Sequence, residues 1–134
     1  MAVIIDPIQQ VGNYFATKYF YQNLEKIVKS HNSAFIVNES FCGFGGSGKL
    51  WVHEHFRINP DILTYGCKCQ ASGFFMKKEF RPQHTQVINT WCGDPLRVEL
   101  LTLIPLIIRD NFIVSLIIGG SRVRELKQSW TLGI

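Results

Sequence analysis

"AVIIDPIQQVGNYFATKYFYQNLEKIVKSHNSAFIVNES", residues Ala2 to Ser40, decides the fold class. Ala2 to Asp6 is a short β-branched run that Pro7 ends, which predicts a buried strand. Thr17 to His31 places Phe20, Leu24, Ile27 and Val28 at helical spacing. That spacing predicts an amphipathic helix with a polar outer face. Ala34 to Ser40 reads as a second apolar strand. Strand, helix, strand in this order is the βαβ signature of a parallel sheet.

Working outward, "DILTYG" (Asp61 to Gly66) and "GFFM" (Gly73 to Met76) predict two more short strands. "GDPLRVELLTLIPLIIRD" opens on a helix-start signal at Asp94-Pro95 and continues with a helical apolar pattern. Pro105 is expected to kink or end that helix, because proline removes a backbone donor and clashes with the preceding turn. No repeat, low-complexity run or linker interrupts the layout. The expected class is α/β, a mainly parallel sheet flanked by helices.

With 134 residues, 46% hydrophobic and 18% charged, the chain has the composition of one domain that can bury a core. Its net charge is +4, and Lys77-Lys78 is the adjacent basic pair, so no stripe for nucleic acid forms. The greasiest stretch, Leu100 to Gly120, is interrupted by Pro105 and by Arg109-Asp110-Asn111. It therefore lacks the roughly 18 uninterrupted apolar residues of a membrane span. The start of the chain has no secretory pattern and no transit peptide, so Cys42, Cys67, Cys69 and Cys92 are expected to be reduced thiols of an intracellular protein.

Several short patterns suggest chemistry. "GFGGSGKL", Gly43 to Leu50, nearly spells a phosphate loop, but Leu50 stands where a magnesium-binding hydroxyl belongs. The following "WVHEHFRINPD" is too soon broken by Pro60 to supply a strong helix. His53-x-His55 and Cys67-x-Cys69 are spaced too closely for usual zinc pairs, and Arg57 replaces the second histidine of a metalloprotease motif. Surface histidines and buried thiols are the plainer reading, and no metal site is expected. Lys68 lies in "YGCKCQASG", just past a strand and among small or polar residues. A lysine placed there, partly desolvated, can form a Schiff base, although most lysines are solvated surface residues. Asn38 closes the "FIVN" strand, at the edge where α/β sheets bind ligands, or it is a turn residue.

Together, "AVIIDPIQ", "AFIVNESFCGFGGSGKLWVHEHF", "PDILTYGCK", "SGFFMKKEFRP" and "NTWCGDP" occur in an order that resembles the class III pyridoxal-phosphate aminotransferases. Within them, "WVHEHF", "GFFMKKEFRP" and "NTWCGDP" resemble the branch acting on 4-aminobutyrate. The resemblance runs to about Asn111 and covers a central part of the family's longer sequence. It implies a cofactor-binding large domain of fold type I over residues 1–111, followed by a divergent tail over 112–134. It also implies a homodimer, or pairing with a full-length relative, and a mitochondrial matrix location. The implied reaction moves the amino group of 4-aminobutyrate, or a similar ω-amino acid, to 2-oxoglutarate.

By the same resemblance Lys68 carries pyridoxal 5'-phosphate covalently and shuttles the proton. Thr90 reaches the cofactor phosphate across the dimer interface, and Asp6 stands for a glutamate near the substrate carboxylate. The family strand ends Asp-Glu-Val-Gln, whereas this one ends Asn38-Glu39-Ser40-Phe41. The family aspartate pairs with the protonated pyridine nitrogen, and Asn38 has no charge to do so. Losing ~3 kcal/mol of that stabilisation would cost about a hundredfold in rate. Ser40 replaces an apolar residue on one ring face, and Phe41 replaces a glutamine near the cofactor hydroxyl. The family's main phosphate loop and the aromatic over the other ring face lie N-terminal to this segment, and its small domain lies C-terminal. The alternative expectation is therefore an impaired or inactive aminotransferase fragment, acting as an interaction module or remnant.

Overall fold

Among the described residues, four strands and two long helices are built from the segments just read, and a single-turn helix, His53–Phe56, is added where no strong helix was expected. The computed structural model describes residues 1–83, 86 and 94–109. The elements are β1 (Ala2–Ile5), α1 (Lys18–Ser30), β2 (Ala34–Asn38), α2 (His53–Phe56), β3 (Ile62–Tyr65), β4 (Gly73–Met76) and α3 (Pro95–Arg109). The sheet order is β1-β2-β3-β4. β1 pairs parallel with β2 and β2 parallel with β3, while β4 turns back antiparallel on β3. The α/β, mainly parallel class expected from the sequence is the one observed.

Thr17 starts α1 as its N-cap, its hydroxyl accepting from the Phe20 amide at 3.2 Å. The buried stripe of the helix is Tyr21 and Val28, with Leu24 packed beside them. Phe20 and Ile27, expected on the core face, are exposed instead. The stripe is rotated because the Tyr21 hydroxyl donates to the Pro7 carbonyl at 2.9 Å and accepts from the Ala16 amide at 3.0 Å. That tyrosine closes the β1–α1 connection and turns its own side of the helix inward. Beneath it lie Phe35 and Val37 of β2, Leu63 of β3, and Val52, Phe56 and Ile58 around α2.

β1 is not the buried strand that its composition predicts. It is the edge of the four-stranded sheet, and Ile4 is 62% exposed. Apolar β-branched composition reports strand propensity, whereas burial depends on what covers the strand. Pro105 does not end α3, which continues to Arg109.

Asp61 fixes the far end of the sheet. Its backbone exchanges hydrogen bonds with Phe35 and Lys77, at 2.8 and 2.9 Å. Its carboxylate accepts from the Phe35 amide at 2.9 Å and from Lys77 Nζ at 2.6 Å. One residue thus ties the start of β2 to the end of β4. Burial alone would raise its pKa, but the Lys77 hydrogen bond, the Phe35 amide and the nearby cations outweigh it and hold the carboxyl below its usual range.

Candidate functional site

The parallel strands deliver their last residues to one edge, which is where open α/β sheets build ligand sites. Asp6 follows β1, one step beyond the Ile5–Val37 register pair. Asn38 ends β2 and stands in register with Thr64 of β3. Lys68 sits in the short 3-10 turn Cys67–Cys69 that connects β3 to β4. Asp6, Asn38 and Lys68 come from three distant parts of the chain, and the sheet brings them to the same edge.

Asn38 is the centre of a polar network. Its Nδ2 donates to Asp6 Oδ1 at 2.8 Å. Its Oδ1 accepts from the Ser40 amide at 3.3 Å, from Ser40 Oγ at 2.7 Å and from Thr64 Oγ1 at 2.5 Å. Asn38 is therefore more than a turn residue, since its side chain joins β1, β2 and β3. Ser40 points into this network. Thr64 was not singled out from the sequence. A hydroxyl in the apolar run "ILTY", in register with Asn38, was the signal that could have found it.

Lys68 is exposed, with its Nζ 5.9 Å from the centroid of the Phe41 ring. That is within cation–π range. The glycine loop makes room for the amine: a Cβ at Gly46 would lie 2.0 Å from Lys68 Nζ. Gly45 and Gly48 take the left-handed backbone, at φ 84° and 85°, and turn the loop past the lysine. Two of the loop's amides are spent internally, Gly45 on the Leu50 carbonyl and Gly48 on the Gly45 carbonyl. Lys49 donates to the Glu54 carbonyl. A phosphate cradle needs amides pointing outward and a helix behind them, and α2 is a single turn.

Glu39 is a second residue missed at the sequence level. It is buried, and its carboxylate accepts from the amides of Val52 and His53 at 2.6 and 2.7 Å. It also accepts from His53 Nδ1 at 2.8 Å. The Asn38–Glu39 pair thus divides the work: one side chain faces the site and the next clamps α2 beneath it. His55 Nε2 meets Ser47 instead, so the two histidines have separate partners. Among the described residues no group of three or more His, Cys, Asp or Glu could hold a metal ion. Cys42 and Cys69 are buried, whereas Cys67 is exposed, contrary to the expectation of buried thiols. Burial, aided by the Glu39 carboxylate, pushes the Cys42 thiol up to about 11. It stays protonated at neutral pH and is a poor nucleophile. Thr90 lies outside the described residues.

Among the described residues no helix is long and apolar enough to cross a membrane. The family model for class-III aminotransferases matches residues 1–116. A 4-aminobutyrate aminotransferase of Dictyostelium discoideum is 38% identical over 128 residues, covering 92% of this chain and 26% of the relative. The mitochondrial 4-aminobutyrate aminotransferase of Homo sapiens is 39% identical over 116 residues, covering 83% of this chain and 23% of its own length. The chain thus spans about a quarter of the length of the curated relatives it matches. An ornithine aminotransferase from Plasmodium yoelii superimposes with a TM-score of 0.75 at 23% identity, over 82% of this chain and 31% of that one. A lysine aminotransferase from M. tuberculosis gives 0.72 at 20% identity, over 83% and 28%. At such identities the structures speak for the fold alone, and it is the same partial α/β domain. Class-III aminotransferases are pyridoxal-phosphate enzymes. The family model spans most of the chain and the 38% identical relative covers 92% of it, so this chain belongs to the class-III aminotransferase family.

Proposed function

We propose that this chain carries the central cofactor-binding segment, residues 1–111, of a pyridoxal-phosphate-dependent transaminase, with residues 112–134 as a divergent tail. It moves the amino group of 4-aminobutyrate, or a similar ω-amino acid, to a 2-oxo acid such as 2-oxoglutarate. The observation that carries this reading is Lys68, presented past the carboxyl end of β3 with its amine fitted against Gly46.

The residues present fit part of the cofactor. Lys68 offers a primary amine to an aldehyde, and the space beside it would be filled by any side chain at position 46. Asn38 offers a fixed amide to a ring nitrogen, with Ser40 beside it. Phe41 flanks the amine. When bound, pyridoxal phosphate supplies the electron sink for carbanion chemistry. Lys68 would hold it covalently and, once displaced by the incoming substrate amine, its free amine would move the proton at the amino-bearing carbon of the substrate. Asp6 orients groups at the same edge. Thr90 reaches the phosphate from a second copy in a homodimer, and the mitochondrial matrix is the proposed location. The test is absorbance: the purified chain with pyridoxal phosphate gains a visible band, which Lys68→Ala removes. A wild-type chain that never gains the band sinks the reading.

A second reading has its own support. A groove beside Ile4 and Ile5 of β1 is lined by Val11, Tyr14 and Phe15, whose side chains are exposed. Apolar surface of this kind suits a protein interface. In this reading the chain is a non-catalytic module that pairs with a full-length class-III aminotransferase. Co-purification of the two supports it, and a monomer that ignores the full-length relative overturns it.

A further inference from the structure

The direction of the Asn38 amide decides what it can offer a ligand. Amide oxygen and nitrogen are assigned from their partners, and here two partners allow one assignment. An ionised carboxylate can only accept, so Asp6 Oδ1, at 2.8 Å, must face the N–H side. The Ser40 backbone N–H can only donate, so at 3.3 Å it must face the carbonyl side. A flipped amide would set oxygen against carboxylate and N–H against N–H. The hydroxyls of Ser40 and Thr64 then complete three donors around one carbonyl oxygen with two lone pairs. The oxygen is saturated. Nδ2 has one hydrogen on Asp6 and, among the described residues, one left over.

We propose that Asn38 is a donor-only contact, fixed by Asp6, Ser40 and Thr64, that holds the ring nitrogen of bound pyridoxal phosphate in its unprotonated form. The proposal rests on the cofactor reading above and deepens it. An aspartate at the end of β2 would accept a proton-bearing nitrogen. Asn38 in this network presents an N–H, and only a nitrogen with a free lone pair can meet it. Asp6, Ser40 and Thr64 are positioning residues, since they act through Asn38. Asp6 and Lys68 are the charged side chains brought to this edge, and Asp6 is the one that could stabilise a protonated ring in place of Asn38.

The test uses the full chain with pyridoxal phosphate carrying nitrogen-15 in the ring. The bound resonance is expected at the position of unprotonated pyridine, to stay there in Asp6→Asn, and to move to the protonated position in Asn38→Asp. Asn38→Asp sets two carboxylates side by side, so the Asp6→Asn/Asn38→Asp double variant gives the same reading without that repulsion. A protonated nitrogen in the wild-type chain overturns the proposal, including the case in which Asp6→Asn abolishes it. An analogue with C–H in place of the ring nitrogen is expected to bind the wild-type chain about fivefold more weakly, the worth of one neutral hydrogen bond. Equal affinity overturns the proposal. The two levels separate cleanly. A visible band with a protonated nitrogen removes the proposal alone, while no band and no retained label remove the cofactor reading and the proposal with it.

Discussion

The role proposed for Lys68 depends on a missing carbon at Gly46. Lys68 Nζ occupies the volume in which a Cβ on residue 46 would lie. Gly46 is not in the left-handed region, so alanine strains no backbone there. The atom it would strike is the tip of a flexible side chain. Gly46→Ala is therefore expected to change stability by less than about 0.5 kcal/mol, typical of a surface substitution. It should still displace the amine and weaken the visible band of the cofactor-loaded chain. A band of unchanged intensity would show that the amine does not need this space, and a fold that collapses would overturn the small stability cost. Little of this is written in the sequence. The run "YGCKCQASG" places a lysine after a strand, but only the folded loop shows which glycine makes way for it.

Single side chains also hold the elements together. Glu39 clamps α2 to the end of β2 through two amides and the His53 ring. Glu39→Gln would turn an NH2 group toward one of those donors and leave it unsatisfied. The expected cost is about 2 kcal/mol, read from the denaturant midpoint. A change below about 0.5 kcal/mol would mean that α2 is held by its apolar contacts instead. Asp61 joins β2 to β4, and its lowered pKa has a consequence for pH. A carboxyl that ionises more readily when folded adds stability above its unfolded pKa, here 3.8, and loses it as pH falls through the lower folded value. Asp61→Asn is thus expected to be less stable than wild type at neutral pH, with the gap narrowing below pH 3.8. A gap independent of pH would assign the loss to geometry rather than charge. Lys77 is partly exposed, so solvent screens the ion pair and the Phe35 amide carries much of the effect.

At the scale of the molecule, one exposed apolar surface among the described residues lies beside β1, an edge strand of the described sheet. Tyr14 and Phe15 are exposed in the loop that follows it. Association through this face predicts that the Tyr14→Glu/Phe15→Glu double variant dissociates at least about tenfold more readily, roughly 1.4 kcal/mol. Sedimentation velocity with and without a full-length class-III aminotransferase reads this directly. Unchanged association would place the interface elsewhere.

The sequence by itself determined the four strands, the two long helices and their order, but not the single turn α2. β-branched runs bounded by Pro7, Gly66 and Gly73, and a helical period from Thr17 to His31, are local signals, and local physics is enough to read them. It also put Asn38 and Lys68 at strand ends. Burial was decided by tertiary structure, because a strand cannot encode whether another covers it. Hence Ile4 is exposed where a buried strand was expected, and Tyr21, anchored by Pro7, replaced Phe20 in the core. The same holds for the site. Thr64, Glu39 and Gly46 matter through partners far away in the chain, and only the parallel register brings Asp6, Asn38 and Thr64 together. The amide direction of Asn38 follows from that meeting, so its role as a donor is a property of the fold and not of the residue alone.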